Sequence, residues 1–159
     1  MSQSSSGLSD ADLGTVDAPR SVEPLTPEEA MDLLASVPFG RVVFTLAALP
    51  AIRPVNHVLD EGEVVIRTRR LAGISTALAD HVEGLDQEPD LVVAYEADLL
   101  DPVERTGWSV VVTGIARPIT DPQRLARIGR RLQPWVDSMM DTAIAISPEI
   151  VNGVRLVAR

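Results

Sequence analysis

The segment from residue 52 to residue 70 constrains the fold most strongly. Two runs rich in β-branched residues flank an Asp-Glu-Gly-Glu sequence, where Gly62 supplies the positive φ that a tight turn needs. The second run ends in three arginines: Arg67, Arg69 and Arg70. This pattern predicts a β-hairpin, and its basic end predicts a place where an anion can bind.

The composition limits the class of protein. A chain of 159 residues with 45% hydrophobic content can bury a single core. Because cysteine is absent, disulfides and thiolate metal sites are excluded, and a reducing cytoplasm is the expected location. No signal peptide and no apolar run of membrane-spanning length is visible. A net charge of −9 argues against nucleic-acid binding.

The domain boundary is predicted from the first 22 residues, which are polar and show no periodicity. We expect residues 1–22 to form a disordered tail and residues 23–159 to form one domain. A helix is expected directly after the boundary, because Thr26 is a good N-cap and Glu29 completes a capping box. This helix has to end before Pro38.

The remaining pattern predicts a mainly β protein with flanking helices. In the run from 108 to 119, Gly114 interrupts a series of β-branched residues, which indicates a bulge of the kind that closes a barrel. Short connections favour antiparallel pairing. The predicted strands are 40–46, 52–59, 64–68, 91–99, 108–119, 142–146 and 154–157, with a link at 47–51 and a turn at 147–149; further helices are predicted at 71–81 and 123–133.

The helix predicted at 123–133 carries a basic face made by Arg124, Arg127, Arg130 and Arg131. A solvated surface is the expected state of such a face. A phosphate site or a partner site remains the alternative.

Familiar catalytic motifs are missing from the sequence. It contains no nucleophile elbow, phosphate loop, dinucleotide-binding glycine motif or zinc-binding helix. Two distant histidines and no cysteine predict that there is no metal site. Glu96 and Asp98 share one strand face and can act as paired carboxylates, although we expect a solvated face there. His57 is expected to be a packed or surface residue.

Binding chemistry is predicted instead at the end of the hairpin. Arg67, Thr68, Arg69, Ser75 and Thr76 bracket a strand end and the start of a short predicted helix. Guanidiniums, hydroxyls and the N–H groups of a helix N-terminus together suit a single phosphate. Strand alternation places the first and second of these arginines on the same face.

The order of these elements resembles a known family. A helix is followed by strands at 40–44, 52–57 and 64–68, a run into Gly73, and the segment 107–116. This order is similar to the pyridoxamine 5′-phosphate oxidase-like FMN-binding split β-barrels, in particular the small actinobacterial-type members. The resemblance covers roughly residues 24–159. It implies an antiparallel split β-barrel, a homodimer with two FMN molecules at the subunit interface, and an FMN-dependent oxidoreductase.

The resemblance also assigns the contacts with the cofactor. The isoalloxazine is expected along Pro54, Val55 and Asn56, and the phosphate near the predicted anion site. Trp108 is expected near the flavin, across the dimer. The complete set implied by the resemblance is Arg53, Pro54, Val55, Asn56, Ile66, Arg67, Thr68, Arg69, Ser75, Thr76 and Trp108.

The sequence departs from the family pattern at Ser75. Members that hold FMN firmly carry a lysine or arginine shortly after the glycine that corresponds to Gly73. Serine removes one charge-assisted hydrogen bond, which costs about 1.5–3 kcal/mol without compensation. This difference motivates a second hypothesis, a non-catalytic cofactor-binding or sensing module.

A third hypothesis keeps the enzyme but changes the cofactor to a deazaflavin or to haem, with His57 as an axial ligand. The substrate-binding arginine and histidine of true pyridoxamine phosphate oxidases have no match in residues 152–156, so that particular reaction is not implied. The substrate is left open.

Overall fold

Seven antiparallel strands and two helices make up the described part of the computed structural model, which covers residues 20–68, 91–132 and 142–158. The strand order is β1-β7-β4-β3-β2-β5-β6, and β6 also pairs with β7, so the sheet closes into a barrel. The strands are β1 (Arg20–Pro24), β2 (Phe39–Leu46), β3 (Leu49–Asp60), β4 (Glu63–Thr68), β5 (Leu91–Asp101), β6 (Thr106–Pro118) and β7 (Thr142–Ala158); the helices are α1 (Pro27–Ala35) and α2 (Pro122–Arg131). The prediction of a mainly β, antiparallel barrel with flanking helices is confirmed.

Strand β7 closes the barrel by changing partners along its length. Its first part pairs with β4, its last part pairs with β1, and β6 follows it almost throughout. The register between β6 and β7 shifts at Gly114, which lies opposite Pro148, so that Glu149 is the extra residue of a β-bulge. The irregularity predicted at Gly114 is therefore confirmed, with the extra residue on the partner strand β7.

Three predicted boundaries are wrong. The turn predicted at 147–149 is part of the continuous strand β7, because a bulge accepts a proline without ending the strand. The link predicted at 47–51 shrinks to Ala47 and Ala48, both with positive φ, and β3 already begins at Leu49. Residues 20–22, assigned to the tail, pair with β7 as part of β1.

Helix α1 closes one end of the barrel with its apolar side. Ala30 and Leu34 are fully buried in the barrel core. The predicted capping box is present: the Thr26 hydroxyl accepts from the Glu29 N–H at 3.2 Å, and the Glu29 carboxylate accepts from the Thr26 N–H at 2.9 Å. The helix start is therefore encoded locally, whereas its position depends on the core.

Helix α2 covers one part of the outer surface of the barrel. Asp121 caps its N-terminus, accepting from the Arg124 N–H at 2.9 Å. Its apolar side, Ile128 and the adjoining Leu132, packs on the outward side chains of β4 and β7, which form a second small core. The helix predicted at 71–81 lies outside the described residues, as do residues 83–90, where an acidic loop is expected, and residues 135–141, where a connection is expected.

Another part of the outer surface is apolar and is covered by neither helix. A cross-strand row runs through Val43, Ala94, Thr113 and Ile150 on β2, β5, β6 and β7. Val92, beside this row, is 63% exposed, and Ile150 is 55% exposed. We call this surface the open sheet face. Within the described residues, neither helix is long and apolar enough to cross a membrane.

The bulge generates a prediction about stability. A Cβ at position 114 would collide with the carbonyl oxygen of Ser147, so Gly114→Ala should lower the free energy of unfolding by about 1–3 kcal/mol. Gly129→Ala is the matched control, since nothing lies near that position, and it should raise stability by about 0.5–1 kcal/mol. Urea denaturation measures both; an unchanged Gly114→Ala protein would contradict the packing argument.

Candidate functional site

The residues predicted to contact the flavin ring, 53–56, lie where β3 and β4 separate, and we call them the cofactor strip. Pairing between these strands runs from Asp60–Glu63 to His57–Ile66 and stops there. Beyond this point β3 continues with β2 as its partner among the described residues. Residues 53–56 therefore lie just past the last β3–β4 pair, with Arg53 and Pro54 exposed and the next two residues half-buried. The structure thus brings these predicted contacts together on one accessible segment.

The predicted phosphate site begins at Arg67, one residue before β4 ends. The Arg67 side chain is half-buried, and its Nη1 donates a hydrogen bond to the Leu132 carbonyl oxygen at 3.3 Å. Leu132 is the C-cap of α2. A guanidinium at a helix C-terminus is favourable, because the last carbonyls carry partial negative charge. Arg67 therefore joins the end of the hairpin to the end of α2.

The other predicted contacts are distributed differently. Ile66 is fully buried and Trp108 is 7% exposed, and both pack in the barrel core, so their side chains do not join the accessible strip. Thr68 pairs with Thr142 through the backbone. Arg69, Ser75 and Thr76 lie outside the described residues. The resemblance implies a place for Trp108 near the flavin, whereas its alternation with the buried Val110 shows an inward position.

His57 is held inside the protein by two hydrogen bonds. Its Nε2 lies 2.8 Å from the Leu34 carbonyl oxygen, and its Nδ1 lies 2.7 Å from the Tyr95 hydroxyl. Because a carbonyl only accepts, Nε2 carries the proton and Nδ1 accepts from tyrosine. The side chain is buried, so the prediction of a packed histidine is confirmed. Because both ring nitrogens are hydrogen-bonded within the protein, the expectation that His57 is an axial haem ligand is wrong.

The Tyr95 side chain extends this buried group toward the cofactor strip. Burial raises the pKa of Tyr95, which keeps the phenol as a donor. Its hydroxyl also lies 3.5 Å from the carbonyl oxygen of Val55. Gly40 packs so closely on Tyr95 that a Cβ there would strike the ring and its oxygen. The group therefore ties α1, β3 and β5 together directly behind residues 53–56.

The basic face of α2 is engaged with the hairpin turn. Arg124, Arg127 and Arg131 all bind Asp60, whose exposure is only 6%. Hydrogen bonds from Arg127, followed by those from Arg124, lower the pKa of the Asp60 carboxyl despite its burial. These three arginines are therefore ion-paired with the turn, and Arg127 and Arg131 also stay partly exposed to solvent, so the expectation of a solvated face holds only in part. Among the four arginines of this face, Arg130 has no such contact with the turn.

Glu96 and Asp98 share one face, as predicted, and Arg41 lies between them. Its Nη1 is 3.0 Å from the Glu96 carboxylate and 3.3 Å from the Asp98 carboxylate. Burial, followed by the bond to Asp98, raises the pKa of Glu96. These charged residues form an ion-paired group on the open sheet face.

Comparison with known proteins agrees with this architecture. A family model described as pyridoxamine 5′-phosphate oxidase matches residues 26–155. A curated protein of Mycobacterium tuberculosis, uncharacterized protein Rv0080, is 57% identical over 139 residues, which cover 87% of this chain and 88% of that protein.

Solved structures give the same result. The FAD binding protein from Mycobacterium smegmatis is 30% identical with a TM-score of 0.64, covering 85% of this chain and all of that chain. A candidate pyridoxamine 5′-phosphate oxidase from Corynebacterium glutamicum is 28% identical with a TM-score of 0.67, covering 87% of this chain and 95% of that chain. The fold is that of the split β-barrels. The chain belongs to the pyridoxamine 5′-phosphate oxidase family.

The buried histidine generates a prediction about pH. Burial lowers the pKa of His57 below its ordinary value of 6.5, so the unfolded chain binds a proton more readily than the folded chain. Unfolding therefore takes up a proton as the pH falls below 6.5, and His57 then costs stability, by up to about 1.4 kcal/mol per pH unit.

The test compares wild type with His57→Gln by urea denaturation at a series of pH values. Other titrating groups, such as Asp60 and Glu96, are present in both proteins, so their effects on the free energy of unfolding cancel when the two proteins are compared. The stability advantage of the wild type should be constant in neutral solution and should shrink below about pH 6.5. An advantage that does not change with pH would contradict the assignment of a neutral, buried imidazole.

Proposed function

We propose that this protein is an FMN-dependent oxidoreductase of the pyridoxamine 5′-phosphate oxidase class that acts in the cytoplasm as a homodimer. The observation that carries the proposal is the accessible strip at residues 53–56, which lies past the last β3–β4 pair and near the end of β4 at Arg67. The 30% identity with an FAD binding protein over all of that chain supports the same conclusion. The substrate is left open.

The residues of the strip suit a flat, aromatic ring and a phosphate. Arg53 and Pro54 are exposed on extended backbone, which a planar group can approach closely. Arg67 supplies a guanidinium, the preferred side chain for binding phosphate oxygens. Val55, Asn56, Ile66 and Thr68 would contribute through the backbone of the two strands. Arg69, Ser75 and Thr76 would complete the phosphate site.

The protein's own part in the proposed reaction is binding and orientation. A bound flavin supplies the redox chemistry, so no side chain has to accept a proton at the reacting centre. This agrees with the buried state of His57 and with the ion-paired state of Glu96. The residues of the strip would fix the ring, while the guanidinium at the end of β4 would fix its phosphate.

A second candidate function is a non-catalytic module that binds a cofactor weakly. The presence of Ser75, where a cation is expected, favours it. FAD is an alternative cofactor, because the relative from Mycobacterium smegmatis binds FAD. A deazaflavin is the other alternative, as in the third hypothesis above. Flavin affinity and the ability of the bound flavin to be reduced and reoxidised separate these candidates.

The open sheet face supports the proposed dimer. Val92, Ile150 and Ile52 are each more than half exposed, and exposed apolar side chains in such a continuous row are unusual on a monomer. A second copy is the occupant proposed for this surface, because exposed apolar patches mark interaction sites and two-fold homodimers are the commonest oligomers. Trp108 lies inside the barrel, so other residues would supply the contacts across that interface.

The prediction for the cofactor site uses two matched arginine variants. Wild-type protein should take up FMN on titration and show the absorbance of a bound flavin. Arg67→Ala should weaken FMN binding by about tenfold or more, since a charge-assisted bond to phosphate is lost. Arg130→Ala is the control, because Arg130 is exposed on α2 and lies outside the Asp60 contacts; it should bind FMN as the wild type does.

Parallel titrations with FAD and with a deazaflavin identify the preferred cofactor. A wild-type protein that binds none of the three would contradict the proposed function. Equal losses in the two arginine variants would place the phosphate elsewhere. Tight FMN binding without turnover by any electron acceptor would favour the non-catalytic module.

A further inference from the structure

We propose that Asp60 is a positioning residue for the phosphate end of the cofactor site and that it acts through helix α2. This inference rests on the proposed function. It links a buried carboxylate at the hairpin turn to Arg67, near the opposite end of β4. The link has three parts. Asp60 binds the arginines of α2, the helix carries their position to its C-terminal end, and the C-cap residue of the helix contacts Arg67.

The first contact is a convergence of three guanidiniums on one carboxylate. Oδ1 of Asp60 accepts from Arg127 Nε and Arg131 Nη1, both at 3.1 Å. Oδ2 accepts from Arg124 Nε at 3.1 Å and Arg127 Nη2 at 2.9 Å. Spacings of three and seven residues place the arginines on one helical face. Both oxygens are therefore occupied by the same face of α2.

Neighbouring groups balance the charge of this cluster. Glu63 accepts from Arg124 at 2.8 Å, and Glu61 accepts from Arg127. Arg131 also donates to the Leu59 carbonyl oxygen at 2.7 Å. Three cations thus meet three carboxylates, and the Asp60 side chain is only 5% exposed. A network of charge-assisted hydrogen bonds around one buried carboxylate fixes geometry more firmly than isolated surface pairs do.

The second part of the link is the helix itself. Arg131 closes α2, and the N–H of the following residue, Leu132, still donates to the Ile128 carbonyl oxygen at 2.8 Å. A hydrogen-bonded helix of 10 residues spans about 15 Å and moves as a unit. A shift of the arginine face along the hairpin therefore shifts the C-cap by a similar distance.

The third part of the link is the hydrogen bond between the C-cap of the helix and Arg67. Its Nη1 donates to the Leu132 carbonyl oxygen at 3.3 Å, which sets the direction of a planar guanidinium. Ile128, Leu132 and Val65 belong to one apolar cluster that holds the helix against the sheet, and apolar packing is non-directional. The Asp60 cluster supplies the directional constraint that apolar packing lacks.

The test measures the affinities of FMN and of riboflavin, which has the same ring and no phosphate. Asp60→Asn keeps the side-chain shape but removes the charge that the three arginines share. It should weaken FMN binding by roughly threefold to tenfold, which lies in the lower part of the range of coupling between residues in one network. Riboflavin binding should not change, whereas general loosening of the fold would weaken both ligands.

The matched control is Asp32→Asn, because Asp32 is exposed on α1. It should bind both flavins as the wild type does. Arg131→Gln provides a second variant, since its side chain is 46% exposed and its loss is compatible with folding. It should reproduce the selective loss of FMN affinity, although more weakly.

A double-mutant cycle completes the test. If Asp60 acts through Arg67, Asp60→Asn should cause no further loss of FMN affinity in the Arg67→Ala protein. Additive losses, equal losses for FMN and riboflavin, or wild-type FMN affinity in Asp60→Asn would each overturn the positioning role. A wild-type protein that binds neither flavin would instead reject the proposed function on which this inference rests.

Discussion

The bulge in β7 is the constraint on which the rest of the structure depends. Pro148 and Glu149 shift the register against β6, and this lets one long strand serve β4 with its first part and β1 with its last part. The barrel closes through this change of partners. It also divides the outer surface into two parts, because α2 covers β4 and the beginning of β7 but leaves the open sheet face uncovered.

Two polar groups then fix the elements around the candidate site. His57 and Tyr95 connect α1, β3 and β5 behind residues 53–56. The Asp60 cluster connects the hairpin turn with α2, whose last carbonyl contacts Arg67. Each group is centred on a buried side chain whose polar atoms are hydrogen-bonded, so each favours one arrangement. The proposed cofactor strip itself is left accessible between them.

Local signals allowed much of the fold to be predicted from the sequence. The capping box at Thr26 and the hairpin around Gly62 depend on residues close in the chain, and both are present. Gly114 indicated the position of the bulge, although the extra residue, Glu149, lies on the partner strand β7. Pro148 misled the prediction, because a proline that ends most strands is tolerated at a bulge whose existence depends on the partner strand.

The candidate site was predictable only in part, because side-chain partners are set by tertiary contacts. The accessible strip follows from the hairpin pattern. In contrast, the pairing of α2 arginines with Asp60 joins residues more than 60 positions apart, although the acidic turn and the arginine spacing were both visible. The family resemblance placed Trp108 near the cofactor, whereas its alternation with buried neighbours on β6 indicates the core.

The central claim is the proposal that two copies meet at the open sheet face and that the flavin binds to this dimer. Sedimentation velocity recorded at the visible absorbance of the flavin tests it most directly. Wild-type protein should sediment as a dimer that carries flavin, and Ile150→Asp should sediment as a monomer without flavin. Val103→Asp, an equally polar change at a residue 81% exposed in the β5–β6 turn, should behave as the wild type. An Ile150→Asp protein that remains dimeric, or that binds flavin normally as a monomer, would contradict the claim.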